Sequence, residues 1–184
     1  MLLQTPRLIL RNFTETDLEP FLAYRNEPEV AKYQGWDFPY ARDKAERFIS
    51  SMMNKIALKQ GDWLQYAIAL KETDELIGDL GVYAKREDAR QVAIGFTIAS
   101  KHWRKGYAFE VIPFLLEYLF EDMDMHRVIA DCDSENIASY RTLEKLGFRR
   151  EAHFVDSFLF KGAYTSEYHY ALLQREWHER SKPR

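Results

Sequence analysis

Apolar positions recur along this chain at two periods, and the places where the period changes mark the elements. Arg7-Leu8-Ile9-Leu10-Arg11-Asn12-Phe13 alternates and is rich in branched side chains, which predicts a first strand. Thr14-Glu15-Thr16-Asp17 supplies an N-cap hydroxyl with acids in the first turn, opening a helix to about Asn26 that Pro28 stops. A second helix is expected over roughly Ala41 to Lys59, ending near Gly61. Large apolar residues at every second position (Leu64, Tyr66, Ile68, Leu70) predict a strand with one buried face. A polar turn at Lys71 to Glu75 separates it from a strand over Leu76 to Tyr83, and a charged loop from Lys85 to Arg90 leads to another over Val92 to Ala99. In the latter, large residues at 92, 94, 96 and 98 alternate with small ones. Its small face admits a close approach, and Gly95 is expected to mark a bulge.

The second half continues in the same way. From about Gly106 to Asp122 the stripe Ile112, Leu115, Leu116, Leu119 and Phe120 has helical spacing, with Pro113 expected to kink the helix or to sit in its early turns. Arg127 to Cys132 reads as a strand, and Asn136 to Leu146 as a short helix capped by Gly147. The tail reads as a hairpin of Phe154 to Phe160 and Tyr164 to Leu173 around Lys161-Gly162.

Composition narrows the class without naming a chemistry. A 184-residue chain with 46% hydrophobic and 15% aromatic residues can bury a sizeable core, and no linker, repeat or low-complexity stretch divides it, so a single domain over 1–184 is expected. No apolar run is long enough to span a membrane, and Met1-Leu2-Leu3-Gln4-Thr5-Pro6 lacks the basic and apolar regions of a leader. The single cysteine, Cys132, leaves no internal disulfide and no cysteine-based zinc site, which fits a reducing cytoplasm. The five histidines show no ligand spacing, so no metal is expected. With a net charge of −3 and no basic block, nucleic acid is not an expected partner.

Strand 92–99, turn 100–106, helix 106–122 and strand 127–133 make a strand–helix–strand crossover, which implies parallel strands joined right-handedly. Ligands of such units bind at the carboxyl end of the first strand, where the helix start offers unpaired N–H groups and the positive end of its dipole. In Trp103-Arg104-Lys105-Gly106-Tyr107-Ala108, Gly106 permits close backbone approach, Ala108 keeps the next contact small, and Arg104 and Lys105 add charge. On spacing alone the segment reads equally as an anion site or as an ordinary basic turn with a glycine.

That segment resembles the acetyl-CoA motif of the GNAT superfamily, Gln/Arg-x-x-Gly-x-Gly/Ala, with Trp103 in the first position and Arg104 where glycine is common. Tryptophan in that slot is usual in the branch resembling ribosomal-protein N-terminal acetyltransferases. Further on, Asn136, Ser139 and the run Leu143-Glu144-Lys145-Leu146-Gly147-Phe148 look like the signature N-x-x-S-x-x-x-L-E-K-L-G-F of the same superfamily. Asn136, Ser139, Tyr140 and Leu143 share one side of a helix; read without the resemblance, Asn136 is an N-cap and Ser139 a small packing residue. The segments Thr5 to Arg11 and Gly162 to Trp177 look like that branch too, so the resemblance covers nearly the whole chain.

The resemblance implies an α/β fold with a twisted mixed sheet and helices on both faces. It implies acetyl-CoA as co-substrate, held by Phe96, Thr97, Ile98, Arg104, Lys105, Gly106, Tyr107, Ala108, Phe109, Asn136 and Arg141. It also implies direct transfer of the acetyl group to an amine. The nucleophile must be neutral: deprotonating a lysine-type amine at pH 7 costs roughly 4–5 kcal/mol, an α-amine only about 1 kcal/mol. The tetrahedral intermediate needs an oxyanion donor, for which the backbone N–H groups of Phe96 to Ile98 are candidates where the two parallel strands splay. Many family members carry a tyrosine immediately before E-K-L-G-F; Leu143 stands there, so Ser139 is the candidate to meet the sulfur, with Tyr140 its competitor. The glutamate common just before Ile94-Gly95 is Ala93 here, so Asp79, Asp131 and Glu167 are the candidate bases, each also readable as a strand-edge carboxylate. The missing glutamate favours an acceptor of low pKa.

The acceptor pocket is expected from the two N-terminal helices and the loop between them. Its Tyr33-Gln34-Gly35-Trp36-Asp37-Phe38-Pro39-Tyr40 reads equally as an aromatic lid over a cation or as a packed loop covering the sheet edge. Tyr33, Trp36 and Asp79 are the candidate acceptor contacts. A peptide N-terminus, a polyamine, an aminoglycoside or a free amino acid all remain open as acceptors, and so does a non-catalytic acyl-CoA-binding role. The chain is read as a monomer or a homodimer, the aromatic strand with Tyr164, Tyr168 and Tyr170 being the candidate for pairing across a dimer.

Overall fold

Alternating patterns in eight segments assemble one sheet, and helices cover both of its faces. The structure, a computed structural model, describes residues 3–55 and 57–181. Met1 and Leu2, which open the segment read as no leader, lie outside the described residues, as do Ile56 and 182–184. The strands are β1 (Leu3–Gln4), β2 (Leu8–Arg11), β3 (Trp63–Leu70), β4 (Leu76–Ala84), β5 (Gln91–Ile98), β6 (Arg127–Asp133), β7 (Arg149–Phe160) and β8 (Ala163–Leu173). Their order in space is β1-β2-β3-β4-β5-β6-β8-β7. All neighbours are antiparallel except β5 and β6, which the crossover makes parallel.

The helices are α1 (Leu18–Arg25), α2 (Pro28–Ala31), α3 (Arg42–Met53), α4 (Tyr107–Glu117), α5 (Ile137–Lys145) and α6 (Gln174–Ser181). Asp17 reaches back to the Thr14 N–H (2.8 Å) in the turn before α1, as the capping pattern requires. Among the described residues no helix is long and apolar enough to cross a membrane.

Each face of the sheet has its own core. On one, Leu8, Leu10, Tyr66, Ile68, Leu80, Val82, Ile94 and Val128 meet Ile112, Leu115 and Leu116 of α4 and Leu143 of α5. On the other, Ala67, Leu76 and Ala99 meet Phe21, Tyr24, Ile49 and Met52 of α1 and α3. Helical and strand periods each turn their apolar set toward the sheet, as read from the sequence.

Several boundaries depart from the sequence reading, each for a physical reason. The helix expected to reach Lys59 stops at Met53. Its last core residue, Met52, belongs to the α1–α3 face, whereas Leu58 packs against the opposite core, and one continuous helix cannot serve both. Pro28 stops α1 and also starts α2 at its first position, where its missing N–H costs nothing. The helix expected to Asp122 widens after Glu117 into a π-helical turn, Tyr118–Asp122. Gly95 marks no bulge, since pairing with β4 runs unbroken from Gly78↔Ile98 to Ala84↔Val92. The register instead shifts between β3 and β4, at Ile68/Ala69. Finally, β8 is no free edge over its aromatic part. Glu167 to Leu173 pair with β6 and Glu167 to Ala171 also pair with β7, so Tyr168 and Tyr170 have both sides engaged. This removes them as a strand-pairing surface for a dimer; Tyr164 lies beyond the stretch that pairs with β6.

Candidate active site

The opening in the sheet is made by arrested pairing. β5 and β6 pair only at Gln91↔Arg127, Val92↔Val128 and Ala93↔Ile129. Beyond that, β5 continues to Ile98 against β4, and among the described residues no strand pairs with its β6-facing edge. Phe96, Thr97 and Ile98 lie on this stretch, as the oxyanion and cofactor expectation requires. The Ile98 carbonyl accepts a hydrogen bond from the Trp103 indole N–H at 2.6 Å, which folds the following turn back onto the strand end.

That turn presents backbone to whatever binds above it. Arg104 and Gly106 both have left-handed φ, +60° and +79°. Gly106 caps α4, and the first intrahelical bond runs from Glu110 N–H to its carbonyl, so the amides of Tyr107, Ala108 and Phe109 have no partner within the helix. A side chain at Gly106 would meet only the end of Arg7, 3.7 Å away, so the space above the glycine is open. Alternating right- and left-handed residues that turn successive N–H groups to one side make an anion concavity. Trp103, Arg104, Lys105 and Phe109 are exposed around it.

The turn is fastened from below by the start of the chain. Arg7 donates to the Lys105 carbonyl (3.0 Å) and to Glu110 (2.6 Å), while Thr5 donates to the same carboxylate (2.5 Å). Burial pushes the Glu110 carboxyl upward. The hydrogen bonds from Thr5, the Arg7 N–H and the Arg7 guanidinium outweigh it and hold Glu110 below its ordinary value. Sequence reading noted Thr5-Pro6-Arg7 but not this role, because its partner lies 103 residues away. Beside the turn, His102 is buried and neither ring nitrogen finds a hydrogen-bond partner. Burial, followed by Lys105 and Lys101, lowers its pKa.

Across the opening, β6 leads into α5. Asn136 caps α5, accepting from the Ser139 N–H at 3.2 Å. Ser139 lies against Cys132 of β6. The Cys132 thiol is pushed up to about 11 by burial, partly offset by the Ser139 contact, which keeps it protonated and unreactive at neutral pH. The Tyr140 ring packs edge-on against Tyr168 (5.6 Å), with the Arg150 guanidinium 5.7 Å from its centroid. Arg141 is exposed on α5.

The acceptor-side candidates have well-defined partners of their own. Asp79 is buried and accepts hydrogen bonds from the Tyr24 hydroxyl, Gln65 (2.5 Å) and Arg25 (3.3 Å). Burial and then the Asp79 charge raise the Tyr24 pKa well above the ordinary phenol value. The cation facing Trp36 is the chain's own: Arg25 sits 4.0 Å from that ring and 4.2 Å from the ring of Phe21, with Tyr40 and Phe48 further out. Asp37 pairs with Lys44 at 2.7 Å. Tyr33 donates to the Glu135 carbonyl (3.3 Å), tying the loop after α2 to the β6–α5 connection, and Lys161 at the hairpin tip donates to the Ala31 carbonyl (2.6 Å). An open cavity of about 890 Å³ lies between, lined among others by Lys32, Trp36, Phe38 and Lys161. Asp131 and Glu167, the other candidate bases, both flank His169. Among the described residues no group of metal-ligating side chains stands close enough to hold an ion.

Comparison with known proteins agrees with this geometry. The pattern of the family "Acetyltransferase (GNAT) domain" matches residues 7–149. The N-acetyltransferase YnaD of Bacillus subtilis (strain 168) is 33% identical over 96% of this chain and 99% of its own length. The [ribosomal protein uS5]-alanine N-acetyltransferase of Escherichia coli (strain K12) is 24% identical over 95% of this chain and 92% of its own. The crystal structure of an acetyltransferase (GNAT family) from Bacillus anthracis superposes with a TM-score of 0.83 at 30% identity, covering 96% of this chain and 100% of that one. The chain belongs to the GNAT acetyltransferase family, whose acetyl donor is acetyl-CoA: it is an N-acetyltransferase, and its fold is the family's mixed α/β sheet with helices.

Proposed function

We propose that this enzyme moves the acetyl group of acetyl-CoA directly to a primary amine, either a protein N-terminal α-amine or a small-molecule amine, within a ternary complex. The observation that carries the reading is the arrested β5–β6 pairing beside a turn with two left-handed residues at the head of α4. The open strand edge suits an amide-bearing pantetheine arm, and the anion concavity suits the pyrophosphate. On this reading the N–H groups from Arg104 to Phe109 hold the phosphates, the edge of Phe96 to Ile98 holds the arm and the developing oxyanion, and Asn136 and Arg141 complete the cofactor side.

Ser139 is our candidate to hydrogen-bond the sulfur as it leaves. Its support is position: it lies in the first turn of α5, capped by Asn136, beside Cys132 at the end of β6. Tyr140 is the weaker candidate because its ring is held against Tyr168. For the acceptor, the similarity to a ribosomal-protein alanine acetyltransferase and Ala93 in place of a glutamate both favour an amine of low pKa. Trp36 lines the cavity from which it would enter, and Tyr33 ties the neighbouring loop to the β6–α5 connection. We read 1–184 as one domain, acting in the cytoplasm, as a monomer or a homodimer.

Thiol release from acetyl-CoA with an alanine-starting peptide, spermidine and a lysine side-chain amine tests the reading. The peptide is expected to be the better acceptor at pH 7; a lysine amine preferred at that pH overturns the low-pKa preference. Ser139→Ala is expected to lower kcat by about 100-fold with acetyl-CoA affinity unchanged.

A further inference from the structure

Alternation in the sheet decides which residues look into the opening from the α1–α3 side. Val128, Ala130 and Cys132 face the α4 core, so Ile129, Asp131 and Asp133 face the other way. By the same parity Gly95 lies on that second face of β5, and Glu167, His169 and Ala171 lie on that of β8. Gly95 and Asp131 each stand two residues beyond the last β5–β6 pair, Ala93↔Ile129, so they flank the mouth of the opening. Gly95 is exposed, and a side chain there would meet nothing within 4 Å among the described residues, although the strand is central in the sheet. Next to it in register is Gly81 of β4, also without a side chain. Gly81 is covered by the side chains of Trp63 and Gln65, so Gly95 alone leaves the floor bare at the mouth. Asp131 and its directly opposed partner His169 stand as the wall.

Resting on the amine-acetylation reading above, we propose that His169 is the proton acceptor for the incoming amine and that Asp131 is its positioning residue. The His169 Nδ1 lies 3.2 Å from the Asp131 carboxylate, which favours a proton on Nδ1 and leaves the Nε2 lone pair free. Nε2 faces Glu167 at 3.9 Å. The ring edge of Phe154 on β7, 4.7 Å away, fixes the imidazole plane. These are the groups that face His169: Asp131 from β6, Glu167 from β8 itself, and the uncharged Phe154 from β7. The side chains of His169 and Asp131 are 38% and 41% exposed, so solvent or substrate reaches them. Strands about 4.8 Å apart set the β8 backbone about 10 Å or more from that of β5. The imidazole, the bound amine and at most one bridging water span that distance.

The protons balance. An ammonium acceptor brings three N–H protons. One passes to His169 Nε2 and then to solvent. The neutral nitrogen attacks the thioester carbonyl, the C–N bond forms, and the C–S bond breaks. The second proton ends on the departing thiolate and the third stays on the amide.

The test uses the full chain with acetyl-CoA and the three amines named above. His169→Gln is expected to lower kcat/KM for the amine by about 100-fold at pH 7. Acetyl-CoA affinity should be unchanged and, for the peptide, most of the rate recovered near pH 10, where its α-amine is already neutral. Asp131→Asn should show a smaller loss and a displaced pH–rate profile. If His169→Gln stays within about twofold of the wild type, the proposal is overturned while amine acetylation itself stands. If the wild type acetylates none of the three, the amine reading fails, and the His169 tautomer, read by long-range proton–nitrogen NMR, judges the pair independently. A proton on Nδ1 that Asp131→Asn displaces supports it; a proton on Nε2 in both proteins overturns it.

Discussion

The two faces of this sheet are held by different physics. The α4 face is mainly aliphatic at its centre: Ile112, Leu115 and Leu116 are fully buried against branched strand residues, with Tyr66, Phe120, Phe148 and Tyr170 among them, and the buried cluster holds no charged side chain. The α1–α3 face is aromatic and charged. Arg25 lies within four rings and pairs with Asp79, which also takes the hydroxyl of Tyr24 and the amide of Gln65. The first arrangement tolerates volume-preserving exchange and leaves the cofactor turn to backbone geometry. The second fixes the orientation of specific polar groups on the acceptor side, at the risk of a large loss if one partner is removed.

Removing one partner should break the contrast most visibly. Asp79→Ala leaves Arg25 charged and unpaired in the interior, with an expected loss of about 3–5 kcal/mol in urea denaturation. The double variant Arg25→Met with Asp79→Leu should recover most of that. A loss below about 1 kcal/mol for the single variant would mean that the second face does not depend on its charges. On the α4 face, Leu115→Ala should cost about 2–5 kcal/mol, as a cavity, and no second substitution of charge should rescue it.

A smaller effect is expected where the α4 face meets solvent. Gly106→Ala forces a side chain into φ +79°, costing about 1–2 kcal/mol of stability. On the proposed reading, in which the turn's backbone holds the phosphates, it should also weaken acetyl-CoA binding, read by calorimetry. His102→Leu should give the smallest change. The folded His102 resists protonation, so below about pH 6.5, its ordinary value, the unfolded chain takes up a proton that the folded one does not. Stability therefore falls as pH drops through that range. The leucine variant should lose that slope and change stability by less than about 1 kcal/mol at pH 7.5, since both ring nitrogens lack partners.

What was legible in the sequence was what neighbouring residues settle together. The turn Trp103 to Ala108 and the Asn136–Ser139 cap each lie within a few consecutive positions, and both form as read. The crossover and its parallel strands followed from the order of periodic segments. The acceptor side was harder for the opposite reason. The Trp36 loop reads equally as a lid over a cation or as packing, and the cation at its ring is Arg25, in α1 of the same chain. Asp79 reads alike whether it faces a substrate or a core, and only Tyr24 and Gln65, distant in sequence, decide. The aromatic alternation of β8 was visible, but not that β6 and β7 would flank it. A usable signal was present there: Glu167 and His169 alternate with Tyr168 and Tyr170, which places the two titratable groups on one face.

The clamp of Thr5 and Arg7 on Glu110 also has a bearing on the order of synthesis. The segments β1 and β2 leave the ribosome first, yet Arg7 meets Glu110 only after 103 further residues have been made. A nascent chain arrested after β5 holds both strands and the edge on which the pantetheine arm would lie, but nothing on which to rest a phosphate. The turn's fastening is therefore laid down long before the turn itself, and both precede β6, α5, β7 and β8 in synthesis.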